Sequence, residues 1–292
     1  MRLEPLSRAI DSVIDQTLDV FEIIIVDDMC DAKVKELVKS YQDSRVKYIE
    51  NREMTSAASS RNIGVKNSSG DLISFLDDDD IWFKDKLERQ VPLFHDHSVG
   101  LVYSPMLMYF PDLGIEYQTL PCKKSLNLSD ILIENRIGGT ISVIIRRDWF
   151  LSVDGFDVRY KAREEYDLWI RLIENNMYRV KYCNVLSCKV INNTDSTSRI
   201  SCNIDNYVNA ITLLNIKYKS IVINCLNLKE LKIRRSMQFN FLASQAMKTG
   251  DRKSGIIYFF KAFQERPSIM SLLKAFVSIF GWKYMIIIRS LM

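Results

Sequence analysis

Apolar residues recur along this chain with two alternating periods. Leu6, Ile10, Val13, Ile14 and Leu18 form one stripe at helical spacing, with Pro5 near its start, and predict a helix over 5–17. Phe21-Glu22-Ile23-Ile24-Ile25-Val26 is a nearly continuous apolar run, as expected of a buried parallel strand. A helix over 31–42, a strand at Val46–Ile49, a helix over 57–67 closed by Asn67-Ser68-Ser69-Gly70, and a third buried strand at Leu72–Leu76 continue the alternation. Such alternation predicts an α/β fold with a mostly parallel sheet and helices on both faces.

The pattern then changes. Longer β segments are predicted at Val99–Phe110 and Ile115–Leu120, and another strand at Ile141–Ile145 after Gly138-Gly139. Residues 164–175 read as a helix carrying Leu168, Trp169, Leu172 and Ile173, and 178–191 as one or two short strands. Beyond about 205 the chain reads as helices parted near Asn227, Gly250, Pro267 and Gly281, with a helical hairpin over 251–280 that is not repeated. This divides the chain into an α/β domain over 1–200 and a helical region over 201–292.

Composition excludes several classes. With 47% hydrophobic and 26% charged residues among 292, the chain has enough apolar material for a core and is not a disordered segment. Its six cysteines form no CxxC, and its only histidines are His95 and His97, so a zinc ribbon or His-rich metal centre is excluded and a reducing compartment is expected. Residues 1–20 mix Arg, Glu and Asp throughout, unlike a signal peptide, which places the expected site of action in the cytoplasm.

Charge is split along the chain. Residues 215–292 carry 14 Lys/Arg and 3 Asp/Glu, a net +11, leaving 26 Lys/Arg and 33 Asp/Glu, a net −7, elsewhere. An acidic body argues against nucleic acid as partner. Within the basic tail, Ile269, Leu272, Leu273, Phe276, Val277 and Phe280 follow helical spacing, and Trp282 and Tyr284–Ile288 add apolar surface. Lys274, Lys283 and Arg289 interrupt it and argue against a membrane span. Two expectations remain: a peripheral helix on anionic lipid, at the cytoplasmic face of the inner membrane, or a helix packed on the body.

The candidate chemistry lies where strands end. Asp27-Asp28 follows Val26 and Asp77-Asp78-Asp79-Asp80 follows Leu76, so both acidic clusters fall at strand carboxyl ends, where open α/β sheets bind ligands. Six carboxylates converging there repel one another unless a cation compensates. Hard oxygen donors suit Mn²⁺ or Mg²⁺, held by one or two carboxylates together with substrate phosphates. Other roles for these residues stay open: Asp80 as the cap of a helix near Trp82, Glu164 and Glu165 as ordinary first-turn acids, Trp82 and Trp169 as core aromatics.

These segments together resemble family 2 glycosyltransferases of the GT-A, Rossmann-like fold. Ser7 to Thr17 followed by Glu22-Ile23-Ile24-Ile25-Val26-Asp27-Asp28 is similar to that family's opening, and Ser60-Arg61-Asn62-Ile63-Gly64 to its Ala-Arg-Asn-x-Gly. Ile73 to Trp82, followed by Lys86-Leu87-Glu88-Arg89-Gln90, resembles its DxD segment. Asp154-Gly155-Phe156-Asp157 and Glu164-Glu165-Tyr166-Asp167-Leu168-Trp169 resemble its Gly-x-Phe-Asp and Glu-Asp-Tyr-Asp-Leu-Trp block. The match spans about residues 6–175, in order.

The resemblance implies an inverting, metal-dependent transfer of a sugar from a nucleotide-diphosphate donor, a UDP-sugar foremost, to a hydroxyl of a glycan or lipid-linked acceptor in surface polysaccharide, O-antigen or capsule synthesis. Asp27 or Asp28 would bond the base, Arg61 would lie near the diphosphate or base, and Asp78 belongs with the nucleotide-binding set. Asp77 and Asp79 would flank the metal, with Asp79 the direct ligand, and Glu165 would be the general base. Three departures accompany the likeness. The family's usual first strand, ending in Pro-x-Tyr-Asn, is missing before the first helix, which would leave its two neighbours with open edges. Its Glu-Asp pair is Glu164-Glu165 here, and Ser56 replaces a frequent Gly. Alternatives are a GT-A-like protein that binds nucleotide-sugar without turnover and a Mg²⁺-dependent phosphotransfer or receiver-type domain.

Overall fold

The computed structural model describes residues 3–52, 56–119, 126–192 and 203–291. It opens with α1 (Leu3–Ile14), β1 (Ile23–Asp27), α2 (Ala32–Ser40), β2 (Val46–Glu50), α3 (Ala57–Lys66) and β3 (Leu72–Ser74). The local chemistry accounts for the boundaries. Asp31 accepts from the Lys33 amide to cap α2, and Ser56 accepts from the Ser59 amide to cap α3, so the Ser that replaces a Gly serves as a helix cap. β1 and β2 pair in parallel, Ile23 opposite Val46 through Asp27 opposite Glu50.

The chain continues through β4 (Ile81–Trp82), α4 (Lys86–Gln90), β5 (Val99–Tyr103), β6 (Met106–Phe110), β7 (Ile115–Gln118), α5 (Leu128–Ile133), β8 (Ile144–Arg146), α6 (Arg147–Ser152), α7 (Glu164–Asn175), β9 (Arg179–Tyr182) and β10 (Cys188–Ile191). Among the described residues three sheets result, in the orders β1-β2, β3-β8-β5-β9 and β4-β10-β6-β7. Parallel ladders join β1 to β2, β5 to β9 and β6 to β10, while β8 and β4 run antiparallel to their neighbours. Among the described residues β1 and β3 each have a strand partner on one side only, and no ladder joins them.

Several sequence expectations change in detail. The single strand expected over Val99–Phe110 is two strands in different sheets, parted at Ser104-Pro105, because Pro105 has no amide hydrogen to give a ladder. The strand expected at Ile141–Ile145 is a 3₁₀ turn over Thr140–Ser142 followed by β8, and the third strand ends at Ser74 rather than Leu76. The strand expected to Leu120 ends at Gln118, and Leu120 lies outside the described residues, as does the 200/201 boundary. Asp80 caps no helix. Ile81-Trp82 forms β4, and the Asp80 carboxylate accepts from the Ile191 amide on β10 at 2.9 Å.

The remaining helices are α8 (Ile204–Lys217), α9 (Lys219–Cys225), α10 (Leu228–Lys248), α11 (Arg252–Glu265), α12 (Ile269–Ser278) and α13 (Trp282–Ser290). Asn227 and Glu230 form a reciprocal cap at the start of α10, which explains the break expected there. Helices α8 and α9 place Ala210, Leu214, Tyr218 and Val222 in the same core as Leu101, Ile145, Trp149 and Trp169. Arg234 on α10 bonds the Leu132 carbonyl at the end of α5. Trp82 and Trp169 are both buried, as core aromatics. Among the described residues no helix is long and apolar enough to cross a membrane.

Candidate active site

Helix α3 organises the site, because consecutive residues near its start reach three separate elements. Ser60 donates to both carboxylate oxygens of Asp28, at 2.6 and 2.7 Å, and Asn51 donates to the same group at 2.6 Å. Arg61 sends one guanidinium nitrogen to Asp77 at 2.7 Å and the other to Glu164 at 2.8 Å. Burial works against the Arg61 charge, but Asp77 and Glu164 outweigh it and hold the group above its ordinary range. Asn62 donates to the Phe156 carbonyl at 2.8 Å and accepts from its amide at 2.9 Å, clamping α3 to the loop before α7. That loop needs Gly155: its φ is +65°, and a Cβ there would stand 2.6 Å from the Asn62 oxygen.

The carboxylates are not equivalent. Asp27 is buried and accepts from the Met29 amide and the Asp31 amide, both at 2.9 Å, and from the Tyr48 hydroxyl at 2.8 Å. Its oxygens are engaged in fixing the β1–α2 turn. Burial and the Asp27 charge push the Tyr48 hydroxyl well above its usual range, so it stays a donor. Asp28 is the acid of that pair that faces α3. In the second cluster the Asp80 amide closes a tight turn on the Asp77 carbonyl at 3.2 Å. Asp78 is exposed, Asp79 is half-buried, and the Asp77 side chain keeps 42% of its surface open beside Arg61.

Glu164 and Glu165 open α7, and Arg163 before them adopts a left-handed backbone at φ 59°. A non-glycine residue there is held in place by its surroundings; the Arg163 guanidinium lies 4.5 Å from the Tyr166 ring and 4.0 Å from the Phe241 ring. Glu165 accepts a hydrogen bond from the Asn135 side-chain amide at 3.2 Å. Burial and the neighbouring Glu164 charge push its carboxyl up to about 7, against the opposing pull of Arg163 and Arg61. A carboxyl raised in this way is well matched to accept a proton.

Two further anchors escape sequence reasoning. Asn135 also holds Gly138, whose carbonyl accepts from the Trp169 indole at 3.0 Å, so it seats Glu165 against a rigid loop. Asp167 is fully buried and bonds Arg171 at 2.8 Å, Lys217 at 2.6 Å and the Tyr218 hydroxyl at 2.8 Å, which locks α7 to α8 and α9. Arg171 and Gly138 are near in sequence to their partners, but Lys217 and Tyr218 lie far from Asp167, and Glu165 lies 30 residues from Asn135. Asp167 carries a local signal as a polar residue between Tyr166 and Leu168, whereas Asn135, between Glu134 and Arg136, carries none.

The carboxylates of the acidic turn have the hard oxygen donors that a divalent cation takes. Among the described residues no cluster of three or more Asp, Glu, His or Cys side chains forms an all-protein cage. Mg²⁺ and Mn²⁺ do not require one, since one or two carboxylates and a diphosphate complete their shells. The open Asp77 and its turn neighbour Asp79 fit that role. The structure thus brings Asp28, Arg61, Asp77, Glu164 and Glu165 to one rim around α3 and α7, and turns Asp27 into the β1–α2 turn.

Comparison with known proteins bears on the family and the fold. The family model described as Glycosyl transferase family 2 matches residues 2–158. The Escherichia coli protein named UDP-Glc:alpha-D-GlcNAc-diphosphoundecaprenol beta-1,3-glucosyltransferase WfgD is 28% identical over 184 residues, 63% of this chain and 70% of the relative. The Bacillus subtilis (strain 168) protein named putative teichuronic acid biosynthesis glycosyltransferase TuaG is 27% identical over 192 residues, 64% of this chain and 75% of that one. S. aureus TarS 1-349, solved in complex with UDP-GlcNAc, superposes with a TM-score of 0.64 at 16% identity, covering 91% of this chain and 79% of that chain, a likeness of fold.

Proposed function

Because this chain belongs to glycosyl transferase family 2 and has the GT-A fold, we propose that it transfers a sugar from a UDP-sugar to a hydroxyl of a lipid-linked or glycan acceptor, with inversion at the anomeric carbon, in the synthesis of a bacterial surface polysaccharide such as O-antigen or capsule. It is a transferase, and its relatives include proteins named for bacterial polysaccharide synthesis. One observation carries the reading: Arg61 ties Asp77 to Glu164, and so sets a metal-suited turn beside the carboxyl of Glu165.

In this reading Asp28 bonds the base and Asp27 keeps the turn that presents it. Arg61 faces the diphosphate, Asp77 and Asp79 hold Mn²⁺ or Mg²⁺, and Asp78 lies beside them toward the nucleotide. The cation supplies Lewis-acid stabilisation of the departing diphosphate. Glu165, seated by Asn135, accepts the proton of the acceptor hydroxyl as that oxygen attacks. One displacement from the face opposite the leaving group inverts the centre. Residues 1–200 carry the chemistry and 201–292 form the helical region, working at the cytoplasmic face of the membrane where a lipid-linked acceptor resides.

The test is UDP release from a panel of UDP-sugars with Mn²⁺ and a polyprenyl-diphospho-sugar acceptor. Acceptor-dependent UDP release that is lost in Glu165→Gln supports the reading. Tight UDP binding without turnover in any combination would make the chain a binding protein instead, and full activity in Glu165→Gln would remove the base assignment.

A further inference from the structure

Helix α12 is turned inside out. Its inward residues are Ser271, Val277 and Ser278, and the hydroxyls of Ser271 and Ser278 bond backbone carbonyls of their own segment. Its outward residues are Ile269 (89% exposed), Leu272 (57%), Phe276 (58%), Ile279 (55%) and Phe280 (52%). These follow the spacing i, i+3, i+7, i+10, i+11, one stripe of a helix, which in a protein surrounded by water ordinarily faces the core.

The stripe does not end with the helix. The rings of Phe276 and Phe280 lie 5.5 Å apart and those of Phe280 and Tyr284 6.0 Å apart, which carries the apolar face across Gly281 onto α13, where Ile287 and Leu291 are also exposed. A contiguous apolar face of this extent marks an interaction surface. Its border is of one sign. Arg266 and Lys283 stand exposed beside the stripe, and residues 266–292 contain no Asp or Glu, while Lys274 and Arg289 turn toward the body, to Glu134 and the Tyr117 ring.

We propose that the outward face of α12 and α13 docks on an anionic lipid surface, with the aromatic ladder and Ile269, Leu272 and Ile279 at the acyl boundary and Arg266 and Lys283 at the headgroup phosphates. An apolar stripe fits the acyl boundary and a purely basic border fits anionic headgroups. A second copy of this chain, seated face to face, would instead oppose basic borders to each other with no acid to offset them. At ten residues, α12 is about 15 Å long, which suits a helix lying in the interface and is too short for one crossing it. The inference gives a surface to the membrane location proposed above and rests on that reading for its purpose.

The experiment is co-sedimentation of the full chain with vesicles of phosphatidylcholine alone and with phosphatidylglycerol added. The wild-type protein is expected to bind the anionic vesicles about tenfold more than the neutral ones, less so in high salt. The triple variant Leu272→Gln, Phe276→Gln, Phe280→Gln, altered only at exposed positions, is expected to lose about tenfold in vesicle binding while its circular dichroism and its turnover with a water-soluble acceptor hold. Equal sedimentation of the variant and wild type overturns the proposal, as does a wild-type dimer that the variant dissociates with vesicle binding absent in both. Vesicle binding without sugar transfer would leave this surface standing and count only against the catalytic reading.

Discussion

The guanidinium of Arg61 and the carboxylate of Asp77 meet at 2.7 Å, joining the second turn of α3 to the acidic turn after β3. The pair is asymmetric, since Arg61 is largely buried and Asp77 is open to solvent. Asp77 can therefore meet an incoming ligand without losing its partner. Arg61 is already desolvated, so its charge acts strongly on whatever anion arrives.

Removing that cation should separate two effects. Arg61→Ala leaves the half-buried Glu164 without its partner, a loss of about 3 kcal/mol in chemical denaturation. It also removes one of the charges that hold the Glu165 carboxyl down, so the midpoint of the pH–activity profile should move upward. Arg61→Lys cannot span both carboxylates in the same fork and should recover stability more than activity. An unchanged pH midpoint in Arg61→Ala would disconnect Arg61 from the base.

Glu165 itself predicts opposite signs for activity and stability. The ionised form is the base, so kcat/KM should fall as pH drops through about 7, the value to which its carboxyl is raised. Stability runs the other way. The fold favours the neutral carboxyl, so this contribution is complete below the ordinary value of 4.5 and is lost as pH rises through about 7. Glu165→Gln should abolish turnover and yet melt at or above the wild-type temperature at pH 8. A variant that melts lower at pH 8 would show that Glu165 serves the fold.

Chelation addresses the cation. EDTA-treated protein should lose about tenfold or more in turnover and recover with added Mn²⁺ or Mg²⁺. Asp79→Asn should raise the Mn²⁺ concentration needed for half-maximal rate, while its melting temperature without metal stays near that of wild type. Full activity in EDTA would mean that Arg61 and its neighbours stabilise the leaving group alone.

Asp27 and Asp28 are adjacent and should behave differently. Asp27→Asn trades an acceptor oxygen for an NH₂ in a turn that already has two backbone amide donors and a hydroxyl donor, and should cost about 1–3 kcal/mol of stability. Asp28→Asn should instead raise the donor KM with a smaller change in melting temperature. Calorimetric binding of UDP and thermal melts on the two variants decide between them.

Much of the site is legible in the amino-acid sequence. Buried apolar runs ending in acids gave β1 and β3 their carboxyl-end chemistry, since in an open α/β sheet that position faces ligand. The order of short motifs through residue 175 gave the family, now matched over residues 2–158. What failed was local continuity. The Val99–Phe110 run reads as one strand because both halves are apolar, and the break at Ser104-Pro105 matters only because the halves join different sheets.

The amino-acid sequence by itself determined where most helices and strands lie, where the carboxylates cluster, and that the tail is basic and amphipathic, because periodicity and charge are properties of neighbours along the chain. Tertiary structure alone decided that Asn62 clamps Phe156 across 94 residues, that Arg61 reaches Glu164 across 103, that Asn135 seats Glu165 across 30, and that the α12 stripe turns outward. Those relations depend on which faces meet when the chain closes on itself. Burial then gives one glutamate of an adjacent pair a displaced proton affinity, which composition and spacing do not encode.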